Sequence, residues 1–245
     1  MIRKRRQRRL HNNHGNGHKT WISYATLLAF LLLCFMFSIV IAVIVNSNTA
    51  IGFNNRAQEK ETAQRQVEEE NRVKNKIIKE LITTFRKNDL HINLDEKTGD
   101  ITFGGSIFFE KDSSNISDAG KKRLEDFFPT YIDVLLSGPF KNHVSAIIIE
   151  GHTDPTGSYQ YNLDLSQDRA SSVVRTIYSK EFPNFPQKDD LQKVLTANGR
   201  SYSDPIYIKG TKSIDAEKSR RVVFKFRLKD DELANYVNKL LGEKP

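Results

Sequence analysis

The sequence predicts an α+β chain in which a single membrane-spanning helix and a helical linker precede a small mixed β-sheet with helices on one face. Three observations predict it. Residues 21–45 are uncharged, residues 56–87 are highly charged but free of glycine and proline, and short apolar strands then alternate with amphipathic helices. We divide the chain into a basic tail (1–20), a transmembrane helix (21–45), a polar and helical linker (46–89), an α/β domain (90–229) and a C-terminal helix (230–245).

The charge of the chain is concentrated at its N-terminus. Residues 1–20 hold seven basic side chains and no acidic one, and so account for seven of the net eight positive charges. The 25 uncharged residues from Trp21 to Val45 exceed the roughly 20 that cross a bilayer. They also exceed the apolar region of about 7–15 residues in a cleavable signal peptide, which favours a retained anchor. The basic tail then lies in the cytoplasm and contacts anionic lipid rather than nucleic acid.

The linker carries an apolar stripe that needs a partner. Four residues repeat at every fourth position and two more widen the face: Val73, Ile77, Leu81, Phe85, Ile78 and Ile82. The stripe could pack on the following domain or on a second copy of the chain, and the sequence leaves both open. The single cysteine, Cys34, lies in the membrane segment, so the outer domain has no disulfide and depends on its core.

Periodicity predicts the elements of the α/β domain. Turn-rich residues 95–99 separate two short strands and predict a β-hairpin. The strands are expected at 90–94, 100–103, 144–150, 192–198 and 221–228, and the helices at 118–137, 166–178 (with Ser166 as N-cap) and 230–241.

One stretch has the pattern of a binding site. The strand ending at Glu150 leads into a turn with Thr153 and Asp154, and Arg169 follows from what we expect to be the first turn of a helix. An acid for an ammonium group and an arginine for a carboxylate make a pocket for a zwitterion. The alternative is a salt bridge that orders the loop without a ligand. His152 is interpreted as a packed loop residue rather than a catalyst.

These residues resemble the C-terminal domains of the OmpA, Pal and MotB family. The matching positions are Gly151, His152, Thr153, Asp154, Gly157, Tyr161, Asn162, Leu165, Ser166, Arg169 and Ala170. The resemblance implies an OmpA-like domain that binds the diaminopimelate of the peptidoglycan stem peptide through Asp154 and Arg169. Thr153, Asn162 and Arg221 are second choices, and Ser219 departs from the asparagine usual in the family. We find no pattern of a nucleophile with its base or of a metal cluster, and therefore predict a binding protein without cofactor rather than an enzyme.

The layout of the whole chain resembles MotB-type and ZorB-type stator subunits. Residues 21–25 are similar to the start of their membrane helices, but Thr26 stands where an aspartate takes up the driving ion. A hydroxyl does not exchange a proton near neutral pH. Either another ion route serves, or the chain does not conduct, or position 26 carries a substitution. Ala25 and Ala29 form a small-xxx-small pair suited to close helix packing.

The resemblance implies a homodimer in the bacterial inner membrane, with a polytopic MotA-like or ZorA-like partner and a periplasmic domain on the cell wall. The leading hypothesis is a stator subunit. The alternative is a passive tether between membrane and wall. A third hypothesis makes residues 56–87 an inhibitory plug. The sequence does not distinguish motility, phage defence and envelope maintenance as the biological process that the chain serves.

Overall fold

The structure is a computed structural model that describes the backbone of residues 16–110 and 113–229. It describes side chains for residues 24–46, 58, 61–110 and 113–229. The predicted helix at 230–241 and the basic tail up to residue 15 lie outside the described residues. The chain forms two compact units, residues 1–61 and 62–245.

The first helix, α1 (Asn16–Lys87), contributes to both units, so the polar residues 46–55 are helical as well. In the first unit its segment Tyr24–Asn46 is long and apolar enough to cross a membrane, by length and composition alone. All side chains of this segment are exposed, as expected of a helix whose apolar surface faces lipid.

The second unit contains a four-stranded mixed sheet in the order β1-β4-β2-β3. The strands are β1 (Ile101–Gly104), β2 (Val144–His152), β3 (Leu195–Gly199) and β4 (Arg221–Leu228). Strand β4 runs antiparallel to β1 and β2, whereas β2 and β3 are parallel. The C-terminal ends of β1, β2 and β3 and the start of β4 therefore meet at one end of the sheet.

Two long helices pack with the sheet and three short ones connect the elements. They are α2 (Gly105–Phe108), α3 (Asp118–Leu136), α4 (Tyr159–Ile177), α5 (Lys188–Leu191) and α6 (Ala216–Ser219). Alternate strand residues such as Ile147, Ile149 and Phe224 join one buried cluster with apolar residues of α3 and α4. This arrangement confirms the predicted α+β fold class.

The linker stripe packs on the domain that follows it. Ile77 and Leu81 are fully buried, and both belong to the same cluster as the sheet residues. Ile78 is in close contact with Gly99, because a Cβ atom added to Gly99 would be 3.1 Å from the Ile78 side chain. Of the two partners the sequence left open, the structure has the stripe packed against the domain of its own chain.

Two predicted elements differ most from the structure, and the strand expected at 192–198 begins only at Leu195. The hairpin is reduced to a single bridge between Leu94 and Ile101, so residues 90–94 form no strand. Helix α4 begins at Tyr159, not at Ser166, because Ser158 is its N-cap and its Oγ accepts a hydrogen bond from the Tyr161 N–H at 3.2 Å. The first turns are polar and partly exposed, which hid them from an apolar periodicity.

If the end of α1 is part of the core, Leu81→Ala should lower the free energy of unfolding by about 2–5 kcal/mol, through lost burial and the cavity left behind. The exposed Lys76 on the same helix provides the control Lys76→Ala, which should be nearly neutral. Urea unfolding of the full chain in detergent, followed by near-ultraviolet circular dichroism, measures both. Equal midpoints for the two variants would contradict the packing.

Candidate functional site

A cleft of about 640 Å³ opens at the end of the sheet where β2 ends and β4 begins. Its walls come from α2 and the following residues, from the turn after β2, from α4, and from the residue before β4. It is lined by Gly105, Ser106, Phe109, Glu110, Thr153, Asp154, Thr156, Gly157, Tyr161, Asn162, Leu165, Arg169 and Arg220. The structure thus brings four of the five predicted ligand-binding residues to one cleft.

Asp154 is the carboxylate of the cleft and is only 7% exposed. Its Oδ1 accepts a hydrogen bond from the Thr156 N–H at 2.8 Å, and its Oδ2 forms an ion pair with Arg220 Nη1 at 2.5 Å. Burial alone would raise its pKa, but these bonds to Thr156 and Arg220 outweigh burial and hold the pKa of Asp154 below its ordinary value. The carboxylate is therefore charged over the whole neutral range.

Arg169 lies in the third turn of α4, not in the first as we expected, because the helix begins seven residues earlier than Ser166. Its guanidinium is 5.1 Å from the centre of the Phe109 ring, and its Nε donates to the Ser113 carbonyl at 3.0 Å. Stacking on an aromatic face and a carbonyl bond both restrict the orientation of the planar guanidinium.

Thr153 and Asn162 have different positions in the cleft. Thr153 is 3% exposed, and its Oγ1 is buried without a hydrogen-bond partner among the residues that the structure describes. Asn162 donates from Nδ2 to the carbonyls of Thr156 (2.8 Å) and Ser158 (3.1 Å), and so fixes the turn to the start of α4. Among these residues the Thr153 hydroxyl therefore remains unsatisfied, whereas the amide of Asn162 braces the turn.

Arg221 lies outside the cleft, and its neighbour Arg220 lines it. The Arg221 guanidinium binds the Asp204 carboxylate at 2.6 Å and the Asp204 carbonyl at 3.0 Å. The two arginines are adjacent in the sequence, but Arg220 is the residue between α6 and β4 and lines the cleft, whereas Arg221 is the first residue of β4. Ser219, the departure from the family pattern, is fully buried and is not at the rim: its Oγ donates to the Asp215 carbonyl and accepts from the Ile206 N–H.

His152 belongs to a buried polar group outside the cleft lining. Its Nε2 is 3.5 Å from Glu150 Oε2, which is 2.8 Å from Lys225 Nζ. Burial lowers the pKa of His152, although Glu150 opposes this shift. Burial would raise the pKa of Glu150, but His152 and Lys225 outweigh it and lower the pKa to about 2. His152 is thus neutral at pH 7 and packed, as interpreted from the sequence, but it is the last residue of strand β2 rather than a loop residue.

In the first unit, Thr26 lies in the exposed apolar stretch of α1. Ala25 and Ala29 line a shallow surface groove of that helix together with Leu28, Leu32, Leu33 and Met36. Small residues leave room for another helix to approach closely, as the small-xxx-small pattern predicts. Among the described residues, no group of His, Cys, Asp and Glu is arranged to hold a metal ion.

The ion pair in the cleft predicts a pH effect. The pKa of Asp154 is lowered in the folded chain, so its interactions add stability above the ordinary carboxyl pKa, and this stability is lost as the pH falls through the lowered value. Arg220→Ala should move the pKa of Asp154 upward and lower the midpoint of urea unfolding at pH 7. The difference from the parent should vanish at acid pH. Carboxyl-detected NMR titration and unfolding curves at several pH values measure both, and a pH-independent difference would contradict the assignment.

Solved structures with a similar fold include MotB proteins. A MotB-like protein of Desulfovibrio vulgaris aligns with 66% of this chain and 95% of its own, at 18% identity and a TM-score of 0.47. The periplasmic domain of Helicobacter pylori MotB aligns with 61% of this chain and 85% of its own, at 18% identity and a TM-score of 0.42.

Sequence comparison identifies relatives with higher sequence identity than these structures. The Zorya protein ZorB of Escherichia coli is 29% identical over 217 residues, which cover 84% of this chain and 86% of that protein. The peptidoglycan-associated lipoprotein of Buchnera aphidicola is 31% identical over 147 residues, 59% of this chain and 72% of the lipoprotein. Residues 108–220, which contain most of the cleft, match the model of the OmpA family. The similarity to ZorB extends well beyond that segment, and the chain belongs to the OmpA family.

Proposed function

We propose that the cleft binds the diaminopimelate of a peptidoglycan stem peptide and that α1 anchors the domain to the bacterial inner membrane, with the domain in the periplasm. The observation that carries the proposal is the placement of Asp154 and Arg169 in one cleft from separate elements. The similarity to a peptidoglycan-associated lipoprotein supports it. On this proposal the chain is a binding protein, not an enzyme, and needs no cofactor.

The free end of diaminopimelate is a zwitterion with one ammonium and one carboxylate. Asp154 uses one hydrogen bond on each oxygen, and because a carboxylate has about four acceptor positions, it still has positions for an ammonium group. The ligand carboxylate would bind Arg169, whose side chain is oriented by Phe109 and Ser113 before the ligand arrives. Such preorganisation reduces the entropy lost on binding.

Two further groups complete the proposed site. The buried Thr153 hydroxyl has no hydrogen-bond partner among the described residues. A ligand that forms a hydrogen bond with it would offset the free-energy cost of leaving a buried hydroxyl unsatisfied. Arg220, whose side chain is 44% exposed, neutralises Asp154 in the absence of ligand and offers a second cation beside the carboxylate. We assign Arg221 no ligand contact, because its guanidinium is bound to Asp204.

Binding to the cell wall tests the proposal. Asp154→Ala and Arg169→Ala should each weaken cosedimentation of the full chain with purified sacculi by about tenfold or more, because each removes one charge-assisted contact. Asp168→Ala, next to Arg169 on α4, and Arg227→Ala on β4 are the matched controls, since both side chains are exposed and outside the cleft. Circular dichroism verifies that each variant is folded. If both cleft variants cosediment as well as the controls, the proposed site is wrong.

We further propose that the chain is the wall-anchored subunit of a stator-type complex, with a ZorA-like or MotA-like polytopic partner and a second copy of itself. Its similarity to ZorB supports this role and favours phage defence as the setting. The passive tether stays the second candidate for two reasons. Thr26 stands where the resembled stator subunits have the aspartate that takes up the driving ion, and the described apolar stretch has no ionisable carboxylate. The proposal gives the linker stripe a structural role rather than that of a plug, since it packs in the domain core.

Copurification separates the two candidates. Coexpressed with the multi-helix membrane protein of a neighbouring gene, the chain should form a complex that survives detergent extraction. Ala29→Leu should weaken this complex by filling the surface groove of α1, whereas the matched Ala42→Leu, outside that groove, should have little effect. A passive tether would give no complex with any variant, and equal yields from both variants would exclude the groove as the contact.

A further inference from the structure

We infer that a second groove beside the cleft binds the part of the stem peptide that extends from the diaminopimelate, with Arg175 and Lys121 holding a carboxylate of that peptide. This inference rests on the proposed function. The groove has a volume of about 530 Å³ and lies between the start of α3, the end of α4 and the segment before α3. Its lining is Glu110, Asn115, Ile116, Lys121, Glu125, Ser172, Arg175, Thr176, Ser179, Glu181 and Phe182.

The groove adjoins the cleft. Glu110 lines both, and the Ser113 carbonyl that orients Arg169 lies in the short segment between Glu110 and Asn115. Helix α4 also lines both: Asn162, Leu165 and Arg169 face the cleft, and Ser172 and Thr176 follow at helical spacing in the groove. One ligand could therefore occupy both along the same face of α4.

The lengths agree with a peptide ligand. Arg169 and Arg175 are six residues apart on α4, which is about 9 Å along the helix axis at 1.5 Å per residue and about 120° around it at 3.6 residues per turn, so 9 Å is the least that a ligand must span. An extended peptide covers about 3.3–3.6 Å per residue, so at least about three residues are needed to link the two arginines. The stem peptide has residues on either side of its diaminopimelate, and it carries further carboxylates.

The chemistry of the groove also suits a peptide. Two cations and three carboxylates line it, together with hydroxyl groups and an amide, so it offers both donors and acceptors to a peptide backbone. Arg175 donates from Nη2 to Ser172 Oγ at 2.5 Å, which fixes one end of the guanidinium. Lys121 stands on the opposite wall, with an exposed contact of 3.6 Å to Asp118. A carboxylate between Arg175 and Lys121 would gain two charge-assisted contacts.

Two ligands of different length test the inference on the full chain in detergent: free meso-diaminopimelate, which fills only the cleft, and a stem pentapeptide that contains it. Dissociation constants are measured by ligand-observed NMR. The parent should bind the pentapeptide about tenfold or more tighter. Arg175→Ala and Lys121→Ala should remove most of that gain without changing the affinity for diaminopimelate. Lys122→Ala and Arg227→Ala, exposed and outside both sites, should match the parent.

Each other outcome overturns the inference. Equal affinity of the parent for the two ligands would exclude the groove and leave the proposed function intact. Arg175→Ala and Lys121→Ala variants that weaken both ligands equally, or neither, would show that the groove does not contact the longer peptide. Failure of the parent to bind either ligand would reject the proposed function and the groove together.

Discussion

The close approach of α4 to the sheet is the constraint on which the candidate site depends. Gly151 and Gly199 are register partners on β2 and β3. A Cβ on Gly151 would be 2.2 Å from the Ser166 carbonyl oxygen, and one on Gly199 would be 2.6 Å from the Gln167 backbone nitrogen. Any side chain at either position would push the helix outward, at a cost of about 1–3 kcal/mol typical of overpacking. Arg169 is one turn further along the same helix, so the contact of α4 with these two glycines determines how far the Arg169 backbone lies from the sheet.

Polar contacts of the same helix turn hold it in place. Ser166 Oγ accepts from the Ser201 N–H at 2.9 Å. The Gln167 side chain accepts from the Gly199 N–H at 2.7 Å and donates to the Ala197 carbonyl at 3.2 Å. This amide satisfies backbone groups on the outer side of β3, an edge strand whose donors and acceptors would otherwise be open to another strand. The helix that presents Arg169 thus also protects the edge of the sheet.

The cleft combines a rigid frame with one buried hydroxyl that lacks a hydrogen-bond partner among the described residues. Asn162 and the bond from Thr156 fix the turn that carries Asp154, and Phe109 with Ser113 fixes Arg169. The Thr153 hydroxyl is buried and has no partner in the part of the chain that the structure describes. A rigid frame around a group that still needs a partner is typical of a binding site, because most buried polar groups in proteins are satisfied. The geometry of the cleft therefore supports the proposed binding function.

The sequence by itself determined the fold class, the apolar helix and the segment that carries the candidate site, because residue periodicity and a long motif depend only on the order of residues. It also pointed to Asp154 and Arg169, and to a stripe on α1 that needed a partner. Only the tertiary structure decided that this stripe packs in the core of its own domain, that α4 begins at Tyr159, and that Arg220 rather than Arg221 lines the cleft. These outcomes depend on which surfaces meet in space, and a linear pattern does not specify them when two partners or two adjacent arginines are equally compatible with it.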